Sequence, residues 1–307
     1  MDDRTDRTDR PDRTDRTDGA DPGNPAGAGA ADLLLGLIGD NIDASRSPLL
    51  HRLAGRQNRL AVRYDRMVPP RLGQDFETVL AGLARAGYRG TNVTYPYKER
   101  VVPLVRIDDP LVRAIGAVNT VLFDAEGARG FNTDYTGFMA AYRRVRGAQP
   151  PGRVLLIGTG GVGRAVAFGL GALGAQELRL ADLDTARAEA LAADLGEALP
   201  GMRVSVWADP GAGAAAADGV INCTPLGMEG KPGTPLPGAR MAGPGWAFDA
   251  VYTPPDTEFL RAADAAGRAV ISGWELFFYQ GVHAWDLFSG GLPLDQDALR
   301  RDLKAAP

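Results

Sequence analysis

The segment of this sequence that most restricts its fold is a short apolar run that ends in a cluster of glycines. Residues 153–158, RVLLIG, are typical of a buried strand, and Gly158, Gly160, Gly161 and Gly163 follow at its end. An apolar stretch with helical periodicity comes directly afterwards. Glycines at this spacing let the backbone turn tightly and bring a helix N-terminus up to a bound phosphate group. The segment therefore predicts the first strand, turn and helix of a dinucleotide-binding unit.

Beyond this turn, apolar runs typical of strands alternate with stretches of helical periodicity. The strand candidates are RVLLIG, ELRLAD, RVSVW, GVINCT, WAFDAVY and AVIS. Six strands joined by helical crossovers favour a doubly wound parallel sheet. We therefore predict a Rossmann-type domain over residues 134–273.

An acidic residue ends the second strand of this series. Asp182 lies 19 positions after Gly163, where a carboxylate accepts hydrogen bonds from the adenosine ribose hydroxyls. Because the same charge repels a 2′-phosphate, we expect NAD rather than NADP as the cofactor. Arg187 follows closely and could compensate for that charge, so NADP stays open as an alternative. Asp184 is interpreted as the N-cap of the next helix.

The preceding part of the chain, residues 32–133, carries its own series of strand and helix candidates. The strand candidates are LLLGLIG, VRYDRMV, GTNVTY and VNTVLF, and the helix candidates are SPLLHRLAGRQN and QDFETVLAGLARAG. Ser47 is a candidate N-cap, with Pro48 at the first helical position. The alternation predicts an N-terminal α/β domain with parallel strands.

Residues 1–31 have a different composition, a D-R-T repeat followed by Gly, Pro and Ala. We expect a disordered tail, because few apolar groups are present to offset the entropy of ordering. Residues 1–32 hold nine Asp and five Arg, which account for the whole net charge of −4. The remainder is balanced in charge, so no nucleic-acid surface is expected.

Several other classes of protein are disfavoured by composition. The apolar runs are far shorter than the roughly 18 residues of a membrane-spanning helix, and the first residues lack the apolar region of a secretory signal. The single cysteine, Cys223, allows neither an internal disulfide nor a metal cluster, which favours a reducing compartment. We expect a cytoplasmic protein with no metal and no membrane contact.

Lysine is scarce in this chain. Of 34 basic residues only Lys98, Lys231 and Lys304 are lysines, so arginine supplies positive charge almost everywhere. Burial can lower the pKa of a lysine enough for it to give up its proton, whereas arginine stays charged. Lys98 follows a strand end and a proline, and is a candidate acid or base. The alternative is a surface lysine at the start of a helix.

Seven motifs together resemble the shikimate dehydrogenases. They are ASRSPLLH at 44–51, NVTYPYK at 92–98, GAVNTV at 116–121, GFNTD at 130–134, INCTPLGM at 221–228, DAVYTPPDT at 249–257 and YQGVHAWDLFSG at 279–290. They follow the order of the family. Within it the chain most resembles the NAD-dependent quinate/shikimate dehydrogenase branch, with which Asp182 agrees. The resemblance implies a substrate domain, a Rossmann domain, and a C-terminal region, residues 274–307, that returns to complete the first domain.

The resemblance also implies roles for individual residues. Lys98 and Asp134 are the expected catalytic pair. Ser45 and Ser47 are expected to hold the substrate carboxylate, for which hydroxyls beside a helix start are suited. The other implied substrate contacts are Thr94, Asn119 and Gln280 for the ring hydroxyls, and Tyr252 beside the carboxylate.

The activity implied is NAD-linked hydride transfer between shikimate and 3-dehydroshikimate, with quinate and 3-dehydroquinate as a further pair. Three alternatives remain open: an NADP-dependent biosynthetic shikimate dehydrogenase, an aminoshikimate or aminoquinate dehydrogenase of secondary metabolism, and a non-catalytic cofactor-binding regulator. The partner implied is a small cyclohexane or cyclohexene carboxylic acid, and a monomer or homodimer is expected.

Overall fold

In the computed structural model, which describes residues 31–241 and 243–306, the first strands form a five-stranded sheet. The strands are β1 (Leu33–Ile38), β2 (Val62–Met67), β3 (Gly90–Val93), β4 (Thr120–Asp124) and β5 (Gly127–Phe131). They lie in the order β2-β1-β3-β4-β5. The predicted disordered tail, residues 1–31, lies outside the described residues except for Ala31.

The strands of this sheet are not all parallel, so that part of the sequence prediction is wrong. β1 pairs in parallel with β2 and β3, whereas β4 pairs antiparallel with β3 and β5. Only residues 125–126 link β4 to β5, and a parallel pair needs a crossover of a dozen or more residues. β5 has no counterpart among the predicted strands because its sequence, GARGF, holds two glycines, which strands disfavour.

Helices cover both faces of this sheet. They are α1 (Ser47–Gln57), α2 (Pro69–Leu72), α3 (Phe76–Arg85) and α4 (Pro110–Ile115). The side chain of Asp75 accepts a hydrogen bond from the Thr78 amide at 2.7 Å and so caps α3. α1 begins at Ser47 itself, with Pro48 in its first turn and no side-chain cap. The prediction that Ser47 is the N-cap is therefore wrong, which leaves its hydroxyl available for other contacts.

The second sheet has six strands, all parallel. They are β6 (Arg153–Ile157), β7 (Glu177–Ala181), β8 (Arg203–Val206), β9 (Gly219–Asn222), β10 (Trp246–Asp249) and β11 (Ala269–Ile271), in the order β11-β10-β9-β6-β7-β8. The six predicted strands and the doubly wound sheet are confirmed. The chain winds outward in opposite directions from β6 and β9, so a ligand crevice is expected at their carboxyl ends.

The helices of the second sheet lie between its strands in sequence, preceded by one that leads into β6. They are α5 (Thr133–Arg146), α6 (Gly161–Ala172), α7 (Thr185–Ala198), α8 (Pro210–Gly213) and α9 (Glu258–Ala265). Aromatic side chains join α5 to the sheet: Phe138 packs edge-on against Phe248, and Tyr142 against Trp246. This buried core fixes the direction in which the first turn of α5 points.

The last two helices are α10 (Gly273–Ser289) and α11 (Gln296–Ala305). α10 packs along α5 and also reaches the first sheet, where Phe288 shares a core with Leu35 and Leu37 of β1. The predicted domain limits, residues 32–133 with 274–307 and residues 134–273, stay a prediction. No helix in the two described ranges is long and apolar enough to cross a membrane.

We predict that Gly90→Ala destabilises the protein through the contact between β3 and α10. A Cβ at Gly90 would lie 2.5 Å from the Phe288 ring and 2.5 Å from the Val121 carbonyl oxygen. Such overpacking costs about 1 to 3 kcal/mol, measurable as a lower free energy of unfolding in urea. The control is Gly82→Ala in α3, where a Cβ has nothing within 4 Å and Ala favours the helix by about 1 kcal/mol. Equal stability of the Gly90 variant and wild type would contradict this packing.

Candidate active site

A buried ion pair lies between the first sheet and the start of α5. Lys98 follows β3, Asp134 is in the first turn of α5, and Nζ of Lys98 lies 2.6 Å from Oδ2 of Asp134. Their side chains are only 13 % and 8 % exposed. The structure thus brings the two predicted catalytic residues together in one charge-assisted hydrogen bond.

Asn132, which the sequence analysis missed, holds the start of α5 in place. Its Oδ1 accepts from the amide of Tyr135 at 2.9 Å, which caps the helix, and its Nδ2 donates to the carbonyl of Ala117 at 2.8 Å. Asp134 is therefore not needed as a cap and its carboxylate can face Lys98. The preference of helix N-termini for Asn is the signal in GFNTD that identifies this residue.

Asn119 lies beside the pair. Its Oδ1 accepts from the amide of Thr133 at 2.7 Å, the residue before Asp134. Val118, which precedes Asn119 in the sequence, donates its amide hydrogen to the Lys98 carbonyl oxygen at 2.8 Å. Because the amide oxygen of Asn119 is already bonded, its Nδ2 hydrogens are the groups left to donate to a ligand.

Gln280 approaches the pair from α10. A Cβ at Gly137 would lie 2.8 Å from the backbone nitrogen of Gln280, so the two helices cross one turn after Asp134. One turn earlier on α10, Phe277 stacks on Tyr252 with ring centroids 5.1 Å apart. α10 therefore packs on α5 at Gln280 and on Tyr252 at Phe277, and Gln280 Nε2 donates to the Phe277 carbonyl at 3.1 Å.

Ser45 lies in the loop that follows β1, and Ser47 is the first residue of α1; residues 39–47 are called the serine loop. Ser45 Oγ accepts from the amide of Ser47 at 3.3 Å, and the Ser45 hydroxyl lies close enough to the Tyr252 hydroxyl to oppose the rise in its pKa. Burial raises the pKa of Tyr252, which keeps its hydroxyl protonated. Thr94 follows the neighbouring strand β3 and donates its amide to Ile38 at the end of β1, at 2.9 Å. The serine loop and Thr94 thus leave adjacent strands at the same edge of the sheet.

Two glycines of the dinucleotide motif, Gly158 and Gly163, have a steric reason to lack a side chain. Gly158 has φ +94°, and a Cβ there would lie 2.7 Å from the Cys223 carbonyl carbon. A Cβ at Gly163 would lie 2.0 Å from the Gly158 carbonyl oxygen. Gly160 precedes α6 without a side-chain cap, so the first amides of α6 are available to a phosphate. The turn therefore fits the pyrophosphate of a dinucleotide.

This turn lies against the ion pair. A Cβ on Gly161 would be 3.4 Å from Cδ of Lys98. The glycine turn therefore lies beside the aliphatic part of the Lys98 side chain, as a shared active site requires.

Asp182 is at the end of β7, next to the glycine turn. Its Oδ2 accepts from the amide and hydroxyl of Thr159 at 2.6 and 2.8 Å. Burial raises its pKa, but hydrogen bonds from Thr159 and Asp184 hold the pKa below its usual value, so the group is a carboxylate at neutral pH. Asp184 accepts from the Arg187 amide and caps α7, which confirms that prediction. Leu183, between the two acids, is fully exposed.

The two histidines take no part in this cluster. His51 is completely buried and stacks on Tyr64, and burial lowers its pKa to about 3. His283 Nδ1 is hydrogen bonded to Thr136 Oγ1 at 2.8 Å. Within the described ranges no group of three or more His, Cys, Asp or Glu side chains is placed to hold a metal ion.

A buried carboxylate, Asp249, organises the loops at the ends of β9 and β10. It accepts from Asn222 Nδ2 at 3.0 Å, from the Val251 amide at 3.0 Å and from the Thr257 hydroxyl at 2.6 Å. Asn222 in turn accepts from the amide of Thr224 at 2.8 Å. The network fixes the segment around Cys223 that packs on Gly158, and the sequence analysis assigned these residues no role beyond their motifs.

A glycine-rich turn on a doubly wound sheet, set against a buried lysine–aspartate pair, defines a dinucleotide-dependent dehydrogenase. Comparison with known proteins gives the family. The family described as shikimate dehydrogenase substrate binding domain matches residues 37–121. A quinate/shikimate dehydrogenase (NAD(+)) of Corynebacterium glutamicum is 40% identical over 265 residues, covering 84% of this chain and 93% of that protein.

Two further relatives agree. A shikimate dehydrogenase (NADP(+)) of Moorella thermoacetica is also 40% identical over 265 residues, covering 84% of this chain and 88% of that protein. The structure of quinate dehydrogenase from Corynebacterium glutamicum in complex with NAD has a TM-score of 0.83 at 38% identity, covering 89% of this chain and 99% of that chain. This chain belongs to the shikimate dehydrogenase family, and the predicted family, fold class and enzyme class are confirmed.

We predict that Asp249 makes stability depend on pH. Burial raises its pKa to about 6 in the folded protein, above the ordinary value of 3.8. The folded state then binds this proton more tightly than the unfolded state, so the associated stability is present below about pH 4 and is lost as pH rises through about 6, by about 3 kcal/mol. Asp249→Asn removes this dependence.

Urea unfolding of wild type and Asp249→Asn at several pH values measures the effect. The Asn variant is expected to gain about 2 to 3 kcal/mol relative to wild type between about pH 4 and pH 7. Asp264→Asn removes an exposed carboxylate of α9 and is the control for loss of a charge. A constant difference between wild type and Asp249→Asn over this range would show that the carboxyl group titrates normally.

Proposed function

We propose that this protein is an NAD-dependent dehydrogenase that interconverts shikimate and 3-dehydroshikimate, and also quinate and 3-dehydroquinate, by hydride transfer. The observation that carries the proposal is the proximity of the glycine turn at Gly161 to Lys98 of the Lys98–Asp134 pair. It sets a proton-transferring group beside the expected position of a dinucleotide. The names of the relatives supply the substrates and the cofactor.

The cofactor site is assigned to Gly158, Gly160, Gly161, Gly163 and Asp182. The glycines admit a pyrophosphate to the start of α6, where amide groups and the helix dipole favour an anion. Asp182 is a carboxylate next to the exposed Leu183 and to Asp184. The Asp182 carboxylate favours ribose hydroxyls and disfavours a 2′-phosphate, which supports NAD over NADP. When bound, NAD supplies the acceptor for the hydride.

The substrate site is assigned to the edge of the first sheet. Ser45, Ser47 and Tyr252 offer hydroxyls to the substrate carboxylate, and they lie together at the serine loop. The ring hydroxyls are assigned to Thr94, Asn119 and Gln280. Because Asn119 and Gln280 flank the first turns of α5, they hold the ring against Asp134.

We assign transfer of the reacting hydroxyl's proton to the Lys98–Asp134 ion pair. Oxidation of a secondary alcohol removes a hydride from carbon and a proton from oxygen, so the site needs a group that accepts the proton and returns it in the reverse reaction. In the oxidation direction the neutral amine of Lys98 accepts the hydroxyl proton and becomes an ammonium as the hydride leaves the carbon. In the reverse direction this ammonium stabilises negative charge that develops on the oxygen and returns the proton to it. Asp134 orients both the hydroxyl and Nζ.

We also propose a cytoplasmic protein that acts as a monomer or homodimer on a small carboxylic acid, without nucleic acid or membrane as a partner. The single cysteine and the balanced charge of residues 33–307 support this. The buried catalytic pair argues against a non-catalytic regulator, because a sensor does not need an acid–base group. An aminated ring acid would change one substrate group only and is tested in the same assay.

Initial rates with shikimate, quinate and their aminated analogues, each with NAD and NADP, test the proposal. Wild type is expected to use NAD faster than NADP at equal concentration. Asp182→Ala should raise KM for NAD roughly 5- to 100-fold, because hydrogen bonds to a charged group are lost, and should narrow the gap between the cofactors.

The control is Asp184→Ala, which removes the neighbouring acid that caps α7 and is expected to leave the preference for NAD in place. Faster turnover with NADP by wild type would show that Asp182 does not select the cofactor. Binding of shikimate and NAD without product would support the regulator instead.

Lys98→Arg and Lys98→Ala test the proton transfer. Arginine keeps the positive charge but cannot cycle a proton, whereas alanine removes both. Both variants are expected to fold, to bind NAD with normal affinity, and to lose on the order of 10² to 10⁴ in kcat. The measurements are kcat and NAD affinity. Near-normal turnover by Lys98→Arg would leave Lys98 an electrostatic role only.

A further inference from the structure

The hydroxyls assigned to the substrate carboxylate are all neutral, although the substrate is an anion. We propose that Arg66, on β2, is a positioning and specificity-determining residue that supplies positive charge to this carboxylate site. The inference rests on the proposed function, since it concerns the same substrate. It adds a residue that none of the seven motifs contains.

The alternation of side chains along β2 places Arg66 on the face of the strand that is next to the serine loop. Tyr64 and Arg66 are two residues apart on a strand and so lie on the same face of the sheet. Nη2 of Arg66 donates to the Ser45 carbonyl oxygen at 2.8 Å, and the Ser47 hydroxyl lies close enough to the Tyr64 hydroxyl to oppose the rise in its pKa. The end of β2 therefore contacts both serines from the side of the sheet.

A buried hydrogen-bond network fixes the position of the Tyr64 side chain. Tyr64 is only 4 % exposed and donates its hydroxyl proton to Asn92 Oδ1 at 2.8 Å. Asn92 Nδ2 donates to Thr120 Oγ1 at 3.0 Å. This buried network fixes β2 against β3 and β4, so Arg66 leaves the strand at a defined place beside Ser45.

The charge of Arg66 acts on two hydroxyls of the site. Burial raises the pKa of both Tyr64 and Tyr252. A serine hydroxyl and the Arg66 charge each oppose this effect at both tyrosines, and Arg46 also opposes it at Tyr252. A field that favours a negative oxygen on either tyrosine also favours a carboxylate bound between them. This is independent of the hydrogen bond that Arg66 donates to the loop.

Two other arginines, Arg46 within this loop and Arg71 beside it, donate hydrogen bonds to other groups. Arg71 forms a paired hydrogen bond with Asp43, at 2.7 and 2.6 Å, and both side chains are 61 % exposed. Arg46 donates to the carbonyls of Leu303 and Ala306 at the end of α11, at 2.7 and 2.9 Å. Of these three arginines, Arg66 is the one with a hydrogen bond to the backbone of the serine loop.

A charge at this position has a defined kinetic effect. The carboxylate takes no part in hydride transfer and is the same in substrate and product, so Arg66 stabilises the bound ground state and transition state alike. Loss of such uniform binding raises KM and leaves kcat unchanged. Because the interaction is between charges near solvent, it also weakens with ionic strength.

The test compares the single variants Arg66→Gln and Arg66→Lys with the control variant Arg63→Gln and with the wild-type protein. Arg63 is on the same strand, points to the other face, and pairs with Asp65 in an exposed position. The measurements are kcat, KM for shikimate and KM for NAD at low and high salt, with thermal unfolding as a check of folding. A neutral ester of shikimate serves as the uncharged substrate.

Arg66→Gln is expected to raise KM for shikimate roughly 5- to 50-fold with kcat within about twofold. KM for NAD and for the ester should stay near the wild-type values. Salt should raise KM for shikimate in wild type and in Arg66→Lys, but not in Arg66→Gln. Arg63→Gln should match wild type throughout.

Three results would overturn the inference. An unchanged KM in Arg66→Gln would exclude any role for Arg66 in binding. An equal rise in Arg66→Lys and Arg66→Gln, or an equal rise for shikimate and its ester, would show that Arg66 only supports the backbone at Ser45. Absence of wild-type turnover with every ring acid would instead overturn the proposed function.

Discussion

The buried pair of Lys98 and Asp134 is the interaction on which the arrangement of this site depends. Removing two charges from water costs free energy that their attraction repays only when the geometry is well held. Here the Asn132 cap fixes the start of α5, the Lys98 backbone is bonded to Val118, and the aromatic core beneath α5 fixes its direction. The two side chains are only 13 % and 8 % exposed. A bound hydroxyl, rather than bulk water, therefore exchanges protons with the pair.

The site also requires that the glycine turn, residues 158–163, lie close to the Lys98–Asp134 pair. Gly161 allows contact with Lys98, and Gly158 and Gly163 allow the turn to fold tightly on itself and on the segment around Cys223. Asp249 stabilises that segment through Asn222. In the proposed function, Ser45, Ser47, Tyr252 and Arg66 bind the carboxylate of an anionic ring acid, which turns its hydroxyls toward the pair.

Much of this could be predicted from the sequence. The six strands of the second sheet and the glycine turn follow from local periodicity and spacing, and the low lysine content drew attention to Lys98. The strand β4 was predicted but its antiparallel pairing was not, and β5 was missed because GARGF, with two glycines, is a poor strand sequence. Arg66 was also missed: one arginine among many carries no local signal, and its place beside Ser45 arises from the pairing of β1 with β2.

A crystal structure of the protein with NAD and shikimate bound would test the central claim most directly. The account predicts that the hydroxyl on the reacting carbon lies within about 3.2 Å of both Lys98 Nζ and a carboxylate oxygen of Asp134, with its carbon facing the nicotinamide beside Gly161. A complex that turns over in solution but places this hydroxyl beyond hydrogen-bond reach of Lys98, directly or through one water, would contradict the assignment of proton transfer to the ion pair.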